Sequence, residues 1–223
     1  MLTFHLAGIN NQNFLMRDDE TGTFWQQITG RAIAGPLKGA QLEYFASDEL
    51  SFGLWKSETS GGTVLVPAPA WQKDYAPADW ERDMASEPTV IHAPKGTLPD
   101  RELVVGISQD GLDRAYPAAR LVQQSVVMDR IGDLPILLVV GPDGQSIRAF
   151  ESRLGSDMPS LEFFVVKNPA WMLVDSASAG HWNFQGCAVD GGNAGKCLKP
   201  LEMIKDYWFD WQHYHPQSSI YQH

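Results

Sequence analysis

Residues 30–42 read GRAIAGPLKGAQL, and residues 186–198, which lie 156 positions later, read GCAVDGGNAGKCL. The agreeing positions are three glycines, an alanine and a leucine: Gly30, Ala32, Gly35, Gly39 and Leu42 in the first segment, and Gly186, Ala188, Gly191, Gly195 and Leu198 in the second. Downstream the same spacing aligns Phe52, Trp55 and Val64 with Trp208, Trp211 and Ile220, and upstream a shift of one residue aligns Trp25 with Trp182. Self-similarity at a fixed spacing predicts an internal duplication.

Each copy has the pattern of a small β unit. The stretch Thr23–Thr29 is aromatic and β-branched with rough alternation, which favours a strand. Gly35–Gly39 has the composition of a turn, and its second counterpart is Asp190–Gly195. Segments beginning at Trp55 and Trp211 are short helices or irregular, and their ends, Thr63–Val66 and Ser219–Tyr221, are predicted as short strands. The units therefore contain little helix.

A different composition separates the two copies. Residues 67–100 are rich in proline and also hold Trp71, Tyr75 and Trp80, which predicts a long connection packed on the body. After it, Glu102–Ile107 and Arg114–Tyr116 are predicted strands, followed by a short helix over Pro117–Gln124. The apolar run Pro135–Val140 predicts a buried strand, which pairs with residues 146–150 in a hairpin.

The predicted fold is therefore mostly β, with two related β-rich units. The boundaries are 1–66 for the first repeat unit, 67–100 for the connection and 101–223 for the second repeat unit. The 223 residues include 17 Lys and Arg against 27 Asp and Glu, a net charge of −10, with no basic run. This charge argues against nucleic acid as a partner. The longest apolar run is far too short for a membrane span, so a small-molecule ligand or a protein remains as the candidate partner.

Three segments together resemble the DUF3179 domain family. They are residues 24–39 (FWQQITGRAIAGPLKG), residues 207–216 (YWFDWQHYHP), and Val105–Ile107 followed by Arg114–Pro117. The resemblance covers most of the chain, and it implies a truncated member, since longer members carry an extra block ahead of the first copy. It also implies a periplasmic or surface location, although Met1–Gly8 does not have the pattern of a signal peptide. Many members have a cysteine in the apolar strand, whereas residues 136–142 here have none.

Histidines in the second copy are candidate metal ligands. His213 and His215 are two residues apart, and His181 adjoins Trp182. Two imidazoles at that spacing share one face of a strand but diverge on a helix. Copper, zinc and iron are the ions that such a site would take. The alternative is that these histidines pack among the aromatic residues and donate to backbone carbonyls.

The two cysteines, Cys187 and Cys197, flank the second glycine-rich turn. Their spacing across a hairpin is compatible with a cross-strand disulfide. Reduced inert thiols, or thiols that bind metal or react, remain open by counting alone.

Other candidate residues are acids and tryptophans. Asp18, Asp19 and Glu20 correspond roughly to Asp175, either as members of an acid–base pair or as solvated turn residues. The repeated tryptophans line a ligand groove or form two equivalent cores; they are Trp25, Trp55, Trp182 and Trp211.

Two functions follow from these patterns. The first is a binding or accessory module of the prokaryotic cell envelope that carries no catalytic signature, because the structural residues are duplicated and the polar ones are not. The alternative is a metal-dependent enzyme, an oxidoreductase, that uses the His-x-His segment.

Overall fold

The computed structural model describes residues 1–10, 13–43, 47–167 and 170–222. Over these residues the protein is mostly β, with four sheets and short helices. The strands are β1 (Phe4–Asn10), β2 (Asn13–Asp18), β3 (Phe24–Gln26), β4 (Ala32–Ala34), β5 (Leu103–Gln109), β6 (Leu112–Pro117), β7 (Val126–Ile131), β8 (Leu134–Val140), β9 (Ile147–Glu151), β10 (Phe163–Val166), β11 (Met172–Asp175), β12 (His181–Trp182), β13 (Lys199–Pro200), β14 (Ile204–Tyr207) and β15 (Ser219–Ile220). The helices are α1 (Phe52–Glu58), α2 (Trp80–Ser86), α3 (Ala118–Gln124) and α4 (Trp208–Tyr214), with 3-10 turns at Pro69–Asp74 and Gly191–Asn193.

The four sheets have simple strand orders. Sheet 1 is β1-β2-β3-β4, sheet 2 is β14-β5-β6-β15, sheet 3 is β13-β9-β8-β7 and sheet 4 is β10-β11-β12. Neighbouring strands are antiparallel except β15, which runs parallel to β6. The predicted strands at 102–107, 114–116 and 135–140 are present, and so is the predicted helix, as α3.

Strand β8 contributes side chains to two hydrophobic cores, one on each of its faces. Its residues Ile136, Leu138 and Val140 point into a core between sheets 2 and 3 that α3 closes. Leu137 and Val139 point to the other side, into a core shared with sheet 4. Successive side chains of a strand face opposite ways. A strand covered on both faces therefore needs a continuous apolar run, as its sequence has.

Helices α1 and α4 cover the outer faces of these layers. Leu54 of α1 packs into the core between sheets 3 and 4. Trp208 and Trp211 of α4 pack on Val104 and Ala115 of sheet 2. Gly106 permits that approach, because a Cβ atom there would lie 2.2 Å from the Trp211 ring. The body is therefore layered, with sheets 2 and 3 in the middle. Helix α4 lies outside sheet 2, and helix α1 lies outside sheet 3 together with sheet 4.

Two segments of the chain carry matching hydrogen bonds. The indole Nε1 of Trp25 donates to Asp18 at 2.7 Å, and that of Trp182 donates to Asp175 at 3.1 Å. In the glycine-rich turns, the Gly39 N–H donates to the Ala32 carbonyl at 2.8 Å and the Gly195 N–H to that of Ala188 at 2.9 Å. Helices α1 and α4 both have seven residues with tryptophan in the fourth place.

The region from 60 to 100 departs in part from expectation. Thr63–Val66, predicted as a strand, is irregular, and the side chains of Val64, Leu65 and Val66 are exposed. Apolar β-branched residues alone do not make a strand where no neighbouring edge is available for hydrogen bonding. Within the proline-rich connection, Ala93 and Leu98 pack against the α4 core, whereas Trp71 is largely exposed. None of the helices in the described part has the length and apolar character that a membrane crossing requires.

Candidate functional site

A cleft of about 770 Å³ lies between sheet 1 and the β14–α4 corner, and we call it the Asp206 cleft. Its walls come from three parts of the chain: sheet 1 and its turns, helix α2 of the connection, and β14 with the start of α4. Its apolar lining includes Ile9, Phe14, Ile28, Trp80, Met84 and Phe209. The volume is within the range usual for small-molecule sites.

Two carboxyl groups, Asp206 and Asp210, line the inner part of this cleft. Asp206 lies near the end of β14, opposite Val104 of β5, and one of its oxygens accepts the Tyr207 N–H at 2.7 Å. Asp210 is the third residue of α4 and is only 4% exposed. Since the two are four positions apart in the sequence, a strand end and the first helical turn bring both carboxyls together. They hydrogen-bond to each other.

Burial governs the charge state of this pair. Burial first, and then the charge of Asp210, raises the pKa of Asp206 to about 7. Burial also raises the pKa of Asp210, although a hydrogen bond from Asn13 opposes that rise. Two carboxylates this close cannot both ionise without repulsion. The pair therefore retains a proton up to neutral pH and titrates as one unit.

The two oxygens of Asp210 have different surroundings. Oδ2 accepts the Asn13 Nδ2–H at 3.0 Å, and Asn13 Oδ1 in turn accepts the Ile28 N–H at 3.2 Å. Oδ1 is buried with no donor in contact, a state shared within the described ranges only by Ser152 Oγ. A buried carboxylate oxygen requires a donor, because its desolvation is otherwise uncompensated. A proton shared with Asp206 satisfies it, because the two carboxyls hydrogen-bond to each other.

The cationic side chains of the cleft have partners of their own. The Arg101 guanidinium lies over the rings of Tyr207 and Phe209, 4.9 and 5.1 Å from their centroids, and its Nε donates to the Glu87 carbonyl. Lys205 forms an ion pair with Glu49. Neither of these contacts neutralises the Asp206–Asp210 pair.

The predicted metal ligands lie in three different settings. His181, on β12, pairs through Nδ1 with Asp190 at 2.7 Å. His215 ends α4, stacks on Trp211 with centroids 3.8 Å apart, and contacts Asp113 at 3.1 Å. His213 is exposed on α4, and its charge lowers the pKa of Asp210.

His213 thus lies on α4 and His215 is the residue that follows this helix, so the two imidazoles are not on one face of a strand. Across 1–10, 13–43, 47–167 and 170–222, no group of three or more His, Cys, Asp or Glu is placed to hold a metal ion. The metal site stays a prediction.

The two cysteines form a disulfide. Cys187 and Cys197 face each other in an antiparallel bridge with Cα atoms 4.0 Å apart. Arg31 and Gln41 also form an antiparallel β-bridge, beside the first glycine-rich turn.

Asp18 and Asp175 are buried structural acids, unlike the solvated turn residues that the sequence also allowed. Burial works to raise the pKa of Asp18, but hydrogen bonds from Trp25, Thr21 and backbone N–H groups outweigh it and lower that pKa to about 2. The pKa of Asp175 is lowered in the same way, by Ser178 and Trp182 against burial. Both acids therefore stay ionised and hold a turn. Asp19 and Glu20 are exposed.

The repeated tryptophans are mostly interior. Trp25, Trp182 and Trp211 are buried, and Trp55 is partly buried and stacks on Phe52 with centroids 5.6 Å apart. None of the four lines the Asp206 cleft; the tryptophan that does is Trp80.

A second cavity of about 770 Å³ lies beside the disulfide, lined by Leu112, Glu151, Arg153 and Cys197 among others. Arg153 and Glu151 pair with each other there. It contains no buried polar atom that lacks a partner, within the described ranges. The Asp206 cleft is therefore the stronger candidate.

Comparison with known families identifies the family of this chain. A family model described as "Protein of unknown function (DUF3179)" matches residues 2–218, which is nearly the whole length. The chain belongs to the DUF3179 family. No curated protein and no solved structure matches this DUF3179 protein. The resemblance inferred from the three sequence segments is thereby confirmed.

Sequence reasoning did not single out the carboxyl pair of this DUF3179 protein. The signal was nonetheless there, because Asp210 is a lone acid within the aromatic run Tyr207–Trp211. An acid surrounded by buried aromatic residues is itself buried, and Asp206 lies four residues before it. The aromatic residues of this run favour an interpretation in which the segment serves packing alone.

Proposed function

We propose that this DUF3179 protein is a binding module and that its ligand lies in the Asp206 cleft. One observation carries the proposal. Two largely buried carboxyls, Asp206 and Asp210, line a cleft of ligand size, and Oδ1 of Asp210 meets no donor there other than the proton shared with Asp206. Burying carboxyl groups lowers stability. Buried titratable groups with shifted pKa values in a cleft are typical of functional sites.

The module is further proposed to work in the cell envelope of a prokaryote. The support is the Cys187–Cys197 bond together with the family resemblance. Structural disulfides persist in oxidising compartments and are rare in a reducing cytosol. Thiol titration of protein taken from its native compartment tests this, because free thiols at both positions would contradict it.

We also propose that residues 1–66 and 101–223 contain two copies of one unit. The support is the shared hydrogen bonding of Trp25 with Asp18 and of Trp182 with Asp175, at nearly the sequence offset of the glycine-rich turns. The polar residues of the cleft are not repeated. A single ligand site is therefore expected, and not two.

A fragment screen followed by protein NMR tests the binding proposal. The library holds neutral, anionic and cationic fragments, and the readout is the shift of backbone amide signals. We expect hits to move the signals of Asn13, Gly30 and Tyr207, which surround the cleft.

Two matched variants give the control. Ile28→Trp places an indole in the Asp206 cleft, and Leu112→Trp places one in the other cavity of equal volume. The hits should disappear in the first variant and persist in the second. Hits that map elsewhere, or that survive Ile28→Trp, would overturn the proposal.

A further inference from the structure

The lining of the Asp206 cleft includes three acids. They are Glu43, Asp206 and Asp210, whereas the cationic side chains among its lining are Arg101 and Lys205. Lys205 is already paired with Glu49, and Arg101 lies against two rings and a backbone carbonyl. The exposed His213 acts on Asp210 from the next turn of α4. The whole chain also carries a net charge of −10. A cationic ligand is therefore attracted both at a distance and in contact.

The walls of the cleft are apolar and aromatic. Ile9, Phe14 and Trp80 are exposed, although each borders the cleft. Aromatic faces stabilise a nearby cation, and apolar side chains stabilise a hydrocarbon body. An anionic ligand would instead be repelled by the carboxylates of the lining. A neutral apolar ligand would offer these acids neither charge nor a hydrogen-bond donor.

The fold does not require acids at these positions. Helix α1 matches α4 in length and in the place of its tryptophan, and there the corresponding residues are Leu50 and Leu54. Leu54 is buried in a core, and Leu50 packs against it. An apolar pair thus serves where only packing is needed. The acidic pair formed by Asp206 of β14 and Asp210 of α4 serves a different purpose.

We propose that the Asp206 cleft binds a small organic ammonium ion, whose charged N–H groups donate to Asp210 and Asp206 and whose apolar or aromatic body lies along Phe14 and Trp80. This inference rests on the proposed binding function and names its ligand class. Binding replaces the proton that the two carboxyls share, and that proton passes to the buffer. Affinity is therefore lower in acid, where the proton competes with the ligand.

Calorimetric titration with phenethylammonium chloride is the test, with 2-phenylethanol as its neutral counterpart and phenylacetate as its anionic one. We expect phenethylammonium to bind at least about tenfold more tightly than either of the others. We also expect its affinity to be about tenfold higher at pH 8 than at pH 6, since the competing proton has a pKa of about 7. Buffers of different ionisation enthalpy should reveal proton release at pH 6.

Variants separate charge from fold. Asp210→Asn should weaken phenethylammonium binding at least about tenfold and leave 2-phenylethanol unaffected. Asp206→Asn should abolish the pH dependence of the affinity, because the shared proton is lost. Asp157→Asn, the same change at an exposed acid outside the cleft, is the control and should have no effect. Urea unfolding of each variant verifies the fold.

The outcomes distinguish the two proposals. Equal affinity for phenethylammonium and 2-phenylethanol, or equal affinity at pH 6 and pH 8, overturns the ammonium inference and leaves the binding module standing. If none of the three probes and no library fragment moves the signals of Gly30 and Tyr207, both proposals fall.

Discussion

Helices α1 and α4 are matched in length and in the place of their tryptophans, yet the third residue of α1 is a buried leucine and that of α4 is a buried acid. Leu54 of α1 closes a core beside sheet 4, with Leu50 packed against it. The corresponding residues are Asp210 of α4 and Asp206 of β14, which border an open cleft. The cavity next to the segment before α1 measures about 390 Å³, half the volume of the Asp206 cleft.

This contrast separates what the fold requires from what is added to it. Both helices retain the tryptophan and the packing that it provides. Only one carries a buried acid, and a buried acid lowers stability unless something else compensates for it. The comparison therefore points to α4 as the place where the sequence serves a purpose other than packing.

The largest expected effect comes from giving α1 the acid of α4. Leu54→Asp places a carboxylate in an apolar core that offers it no shared proton. We expect a loss of about 4 kcal/mol or more in the free energy of unfolding at pH 7. Urea denaturation measures it. Phe52→Asp, on the exposed side of the same helix, is the control and should cost little. A mild effect of Leu54→Asp would mean that the α1 core tolerates charge, which removes the contrast.

The pH dependence of stability should reveal the pair directly. The pKa of Asp206 is raised from 3.8 to about 7, so the folded protein holds a proton that the unfolded chain releases between those values. The contribution of Asp206 is therefore complete below about pH 4, and stability falls as pH rises to about 7, by roughly 2–4 kcal/mol. Asp18, whose pKa is lowered to about 2, acts in the opposite sense and only below pH 4.

Urea midpoints at pH 4, 5.5, 7 and 8 measure this fall, and the comparison with Asp206→Asn isolates it. The variant should lose most of the decrease between pH 4 and 7. If wild type and variant keep the same slope, the pair does not hold a proton in the folded state.

A smaller effect is expected when leucines, as at Leu50 and Leu54, replace Asp206 and Asp210. The double variant Asp206→Leu/Asp210→Leu removes two buried acids, and we expect the free energy of unfolding at pH 8 to rise by about 1–2 kcal/mol. The same variant should lose fragment binding in the cleft. A destabilised double variant would show that the carboxyls support the fold, contrary to the comparison.

Much of the fold could be predicted from the sequence because its physical cause is local. Strand β8 is covered on both faces and so needs an unbroken apolar run, and the glycine-rich turns repeat their spacing. Strands β1, β2, β10 and β11 were not predicted, since their pairing depends on distant partners that leave little trace in local pattern. Thr63–Val66 has the composition of a strand and lacks a partner strand.

The candidate site was harder to predict. Histidines and cysteines are candidate site residues by type alone. The chemistry of Asp206 and Asp210 instead depends on their burial and on the effect of each carboxyl on the pKa of the other. Burial depends on sheet 1, helix α2 and α4 meeting at one corner, and Asn13 lies 197 residues from Asp210. Sequence distance hides such a contact. Only the isolated acid within the aromatic run was visible in advance.

The smallest effect tests the likeness of the two turns. Arg31 and Gln41 form an antiparallel backbone bridge of the same kind as that between Cys187 and Cys197. Arg31→Cys/Gln41→Cys should therefore oxidise to a second disulfide and raise stability by about 1–2 kcal/mol, below the usual gain because engineered bonds often strain their surroundings. Thiol titration and unfolding with and without reductant measure it. Thiols that stay free under oxidising conditions would show that the two bridges differ in geometry.

The placement of α1 has a consequence for the integrity of the chain. Its Leu54 lies in the core with sheet 4. Arg148 of sheet 3 forms ion pairs with Asp48 and Glu58, which lie on either side of Leu54 in the sequence. Asn13, in the N-terminal part of the chain, donates a hydrogen bond to Asp210 in the C-terminal part. Each half thus contributes a part that the other half needs. A protease cut at the exposed Leu65 would yield two polypeptides that remain associated as a noncovalent pair. Once separated, neither would refold alone, and recovery would follow second-order kinetics that depend on the concentration of both.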